Sequence, residues 1–96
     1  MAETVTELDT RIKAALNNKE IPNINFNGFV NQIGPGDILI ILERNQQPVA
    51  VINTSFTVAK TLAQKLGGLI ANLEDATGNT IMTTDDIDRK LSEARK

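Results

Sequence analysis

Five consecutive apolar residues, Ile38, Leu39, Ile40, Ile41 and Leu42, constrain this chain more than any other feature. In an extended strand Ile38, Ile40 and Leu42 point to one face and Leu39 and Ile41 to the other, so neither face is content with water. A strand of this kind belongs in the middle of a sheet and needs a layer on each side. The neighbours fit that position. "NINFNGFVNQI" alternates Asn25 and Asn27 with Ile24 and Phe26, the period of an edge strand with one wet face, and "PVAVIN" pairs back as a third strand with Pro48 at its start. Between the first two strands, "GPGD" predicts a type II turn, with Pro35 fixing φ at the first central position and Gly36 taking positive φ at the second. A phosphate-binding loop would need a following helix and often a lysine, and this stretch leads into a strand.

Helical spacing surrounds this meander. Val5, Leu8, Ile12, Ala15 and Leu16 predict an amphipathic helix over residues 4–18, with Thr4 and Glu7 placed as a capping box. Two asparagines and then Pro22 end it. "NTSFT" offers N-caps for a second helix of about twenty residues that Gly78 closes. Its stripe, Ala59, Leu62, Ala63, Leu66, Leu69, Ile70 and Leu73, is wide enough to lie along a sheet. A third helix over about residues 84–95 is capped by Thr83 or Thr84, with Asp85 and Asp86 at its positive end. The fold class is therefore α+β: a three-stranded antiparallel meander packed on one long helix, with N- and C-terminal flanking helices. The 96 residues make one small domain with its core over about 24–78.

Gly67 and Gly68 stand inside the long helix, where the pair costs about 1.5–2 kcal/mol relative to alanine. At 100° per residue Gly68 lies about 200° from Leu66, opposite the apolar stripe. The face around it, Thr57, Thr61, Gln64, Gly67, Gly68 and Ala71, is small and uncharged, whereas a merely solvated face carries Lys, Glu and Arg. Either the glycines break or kink the helix, or this face is built for close contact, with helix 4–18 or with the same helix of a second chain.

With that register in place, "AKTLAQKLGGLIANLEDATG" resembles the helix of a small bacterial domain family of uncharacterised function. Ala59, Lys60, Leu62, Leu66, Ile70, Glu74 and Gly78 occupy the family's Ala-Lys, Leu, Leu, Ile, Glu and Gly positions, and "GPGDILIIL" resembles its turn into a strand. The resemblance covers about residues 28–80. It implies a sheet-plus-helix fold and no particular activity.

Chemistry is restricted by what the chain lacks. With no histidine and no cysteine, imidazole bases, thiolate nucleophiles and the usual soft metal ligands are all missing. Asp85, Asp86 and Asp88 are the one acidic cluster, and carboxylates in a first helical turn serve the helix dipole without any ion; no metal and no cofactor is expected. Net charge is −2 and the only aromatics are three phenylalanines, so neither a phosphate-attracting field nor a base-stacking platform is available. Lys60 and Lys65 diverge by about 140° on the helix, and the basic residues near the C-terminus suit a helix end. The asparagines at 23, 25, 27 and 31 mark either the wet face of an edge strand or an edge that pairs with a second chain into a six-stranded sheet.

No signal peptide or membrane span is apparent, and the expected setting is a bacterial cytoplasm. The expectation is a non-catalytic, self-associating interaction or regulatory module, a homodimer or larger assembly with a further protein as the other possible partner. The alternatives are a small-ligand or nucleotide binder with a pocket between chains and, last, a DNA-binding regulator.

Overall fold

The computed structural model describes residues 3–95. Six elements follow in chain order: α1 (Val5–Asn17), β1 (Gly28–Ile33), β2 (Ile38–Arg44), β3 (Gln47–Thr54), α2 (Phe56–Thr77) and α3 (Thr84–Ala94). The three strands form one antiparallel sheet in the order β1-β2-β3, which gives an α+β fold with the apolar strand in the centre as its sequence requires. The chain gathers into two compact units. One holds α1, β1, β2 from Leu39 onward and most of β3; the other holds residues 35–38, α2 and α3.

In the first unit, α1 begins at the expected capping box. Glu7 N–H donates to Thr4 Oγ1 at 3.0 Å and Thr4 N–H donates to Glu7 Oε2 at 3.3 Å, which satisfies two orphan amides at the helix start. The helix ends at Asn18, whose side-chain Oδ1 accepts from Glu20 N–H at 3.0 Å in a tight turn that faces the chain toward Pro22.

Two expectations for the meander are corrected. The first strand begins at Gly28, not in the alternating stretch that contains Ile24 and Phe26. The reason lies across the sheet: Asn27 N–H donates to Glu43 O at 2.9 Å, and β2 turns away into its hairpin just beyond, at Arg44. Residues 24–26 have alternation but no strand opposite them. Gly36 does not take positive φ either, so the turn before β2 is not type II. Positive φ falls instead at Asn45 (52°) and Gln46 (70°), the two-residue connection between β2 and β3. Left-handed backbone at both central positions is the signature of a type I′ hairpin, whose twist matches that of the strands it joins.

Residues 38–43 of β2 are half-buried, and the flanking strands are mostly exposed. Phe29 and Val30 are adjacent on β1 and so point to opposite faces, yet they retain 59% and 49% exposure. Both faces of the sheet therefore show apolar side chains to solvent.

In the second unit, α2 runs unbroken for 22 residues through both glycines, so the alternative of two shorter helices does not hold. Ser55 caps it by accepting from Val58 N–H at 3.1 Å. Gly78 closes it at φ 71°, a left-handed conformation that glycine adopts without a Cβ penalty, and donates to Glu74 O at 2.9 Å. Helix α3 starts at a second capping box, Thr83 with Asp86.

Candidate interaction site

Helix α2 carries two faces of different chemistry. Leu62, Leu66, Leu69, Ile70 and Leu73, brought to one side by the helical period, carry the apolar stripe and keep between 44% and 65% of their surface exposed. On the opposite side Thr57, Thr61, Gln64, Gly67, Gly68 and Ala71 are all exposed. Helical periodicity alone brings these six together, as their spacing predicts. A methyl group placed at Gly67 or Gly68 would meet no atom within 4 Å, so the helix is open at these two positions. One of that face's two hydroxyls is engaged within the helix, since Thr61 Oγ1 donates to Thr57 O at 2.9 Å.

Beyond α2 the chain is held by a residue that the sequence did not single out for this role. Glu74 accepts three times: its backbone O from Gly78 N–H at 2.9 Å and from Thr77 Oγ1 at 3.4 Å, and its side-chain Oε2 from Ile81 N–H at 2.8 Å. One turn of helix thus fixes both the cap and the path of residues 79–81. Thr77 adds to it, donating to Leu73 O at 2.9 Å, while Asn79 Nδ2 donates to Thr77 O at 3.2 Å. A glutamate three to four residues before a helix-ending glycine is a recognisable signal, but the target of its side chain depends on where the loop returns.

Within the acidic cluster at the start of α3, Asp86 is tied into the helix start. Asp86 Oδ2 accepts from Thr83 N–H at 3.0 Å, and Asp86 Oδ1 accepts from Arg89 Nη2 at 3.1 Å. Both carboxylate oxygens are engaged in starting the helix and pairing with the next turn. Arg11 is likewise paired, with Glu3 at 2.7 Å. Alongside α1, Leu8, Ile12, Ala15 and Ile21 line a shallow groove of about 500 Å3 that lacks a second wall.

No helix among the described residues is long and apolar enough to cross a membrane. No family model, no curated protein and no solved structure matches the chain.

Proposed function

We propose that this chain is a non-catalytic, self-associating interaction or regulatory module that acts by presenting helix and sheet surfaces to a second copy or to another protein. The observation that supports it is burial. None of the described residues is buried in either unit, and large apolar side chains stay exposed on every element except the half-buried β2, from Leu8 (46%) on α1 and Ile52 (43%) on β3 to Leu66 (51%) on α2 and Leu91 (51%) on α3.

The magnitudes favour assembly. Ordering the backbone costs about 1–2 kcal/mol per residue, and burial of apolar surface is the main term that offsets it. Covering the remaining half of each exposed Leu or Ile would contribute about 1 kcal/mol, and fifteen such side chains are at hand. A helix in a folded protein draws most of its stability from the packing of its apolar stripe, and the stripe of the 22-residue α2 is only half covered. Association with a like chain supplies the missing cover and makes folding and assembly one process. The small, open face of Thr57, Thr61, Gln64, Gly67, Gly68 and Ala71 is the second contact surface of this reading, where the absence of large side chains lets another backbone come close.

The groove beside α1 favours a second reading, a small-ligand binder whose pocket is completed between chains. A DNA-binding role has less support: the net charge is −2, and Arg11 and Arg89 are engaged by carboxylates. The resemblance of residues 28–80 to a small bacterial domain family and a cytoplasmic setting belong to the same proposal.

Sedimentation velocity at micromolar concentration tests the main reading. A dimer or larger species, with a melting temperature that rises with protein concentration, is expected. A compact monomer whose melting is independent of concentration would overturn it.

A further inference from the structure

The leucines of α2 form a seam that reads the same in both directions. Ala59, Leu62, Leu66, Leu69, Leu73 and Ala76 follow one another at spacings of three, four, three, four and three, the a/d pattern of helices that pack side by side. The series is symmetric about the Gly67–Gly68 peptide: Leu66 mirrors Leu69, Leu62 mirrors Leu73 and Ala59 mirrors Ala76. Leu69, next to that centre, is 65% exposed.

The charges of the same helix are arranged against its own dipole. Lys60 and Lys65 lie in its N-terminal half and Glu74 and Asp75 in its C-terminal half, with no acidic residue in the first turn and no basic one in the last. A helix dipole favours the reverse order. A neighbour running the opposite way corrects this, because it sets each basic half and positive helix end beside an acidic half and a negative end. A parallel neighbour would align like with like.

We propose that a second copy of this chain lays its α2 antiparallel along the seam, about a two-fold axis level with Gly67 and Gly68. In that register Leu62 of one copy meets Leu73 of the other, Leu66 meets Leu69, and Lys60 comes level with Glu74 and Asp75. Around the helix Lys60 and Asp75 lie about 150° from the middle of the seam and Glu74 about 110°, so these charges act along the length of the helix pair and not as contacts across it. The inference rests on the self-association reading and specifies its interface.

Cysteine cross-linking tests it cleanly, because the chain has no cysteine of its own. Positions 62 and 73 are eleven residues apart, about 16 Å along a helix, which is beyond disulfide reach within one copy. Full-length Leu62→Cys and Leu73→Cys proteins, each oxidised alone, are expected to stay uncross-linked, and their mixture to give a disulfide-linked pair. A Leu62→Cys protein that cross-links to itself would indicate a parallel arrangement and overturn the proposal. A sedimenting dimer whose mixed variants fail to cross-link would overturn this interface and leave self-association standing; a monomer would remove both.

Discussion

The side chains of Asn27 and Asn45 close the β2–β3 hairpin from outside: Asn45 N–H donates to Asn27 Oδ1 at 2.9 Å, and Asn27 Nδ2 donates to Asn45 Oδ1 at 3.0 Å. With Asn27 N–H on Glu43 O, the residue that precedes β1 binds both the end of β2 and the turn that follows. Eighteen residues of chain are thereby closed through one amide.

Asn27→Ala removes both side-chain bonds at an exposed site, where each contributes about 0.5–1.5 kcal/mol. A loss of about 1–2 kcal/mol is expected, read from the urea midpoint at fixed protein concentration. Asn45→Gly keeps the backbone donor and suits the φ of 52°, so it should cost less. Equal effects of the two variants would show that the amide pair is not what holds the turn.

Gln46 sits at φ 70°, where a residue with a Cβ is disfavoured by roughly 1–2 kcal/mol. Replacing it with glycine creates the Asn-Gly pair that type I′ turns prefer, and the gain is partly offset by the freer unfolded chain. A net stabilisation of about 0.5–1 kcal/mol is expected, seen as a rise of several degrees in the thermal midpoint. A fall would mean that the Gln46 side chain contributes more than its backbone strain costs.

Gly68→Ala places a methyl where no atom lies within 4 Å, in a helix interior that prefers alanine by about 1 kcal/mol. Helix stability is expected to rise. Gly68→Leu is expected to keep the helix, by circular dichroism, and to weaken assembly at least tenfold if a second backbone approaches this face. Undiminished association of the leucine variant would take the glycine face out of the interaction surface and leave the exposed leucines as its basis.

Glu74→Ala deletes the acceptor of Ile81 N–H, while Gly78 N–H still reaches the Glu74 carbonyl. Amide exchange at Ile81 should speed up by about tenfold, the equivalent of one bond of about 1.4 kcal/mol, with exchange in the middle of α2 unaffected. Protection that persists at Ile81 would show that the loop is held by something other than this carboxylate.

How much could be read in advance depends on the distance over which each choice is made. Thr4 with Glu7, Ser55 with Val58, Thr83 with Asp86, and Gly78 at the end of α2 are contacts within four residues, so the chain carries partner and position together. The central place of residues 38–42 was equally legible, because only a strand with neighbours on both edges can use two apolar faces. The six residues of the glycine face followed from the helical period alone. Glu74's side-chain partner did not, since it depends on the return path of a loop seven residues on.

Sequence by itself determined the helices, their caps and the order of strand and turn, since these follow from side-chain period and short-range hydrogen bonding that no distant residue can alter. The tertiary structure decided where β1 starts, that Asn45 and Gln46 rather than Gly36 carry the left-handed backbone, and that Asn27 reaches across to the hairpin. Those outcomes depend on which backbone groups find a partner across the sheet. The alternation at residues 24–26 was correct as a pattern and idle as a strand, because β2 ends at Arg44 before it can pair with them.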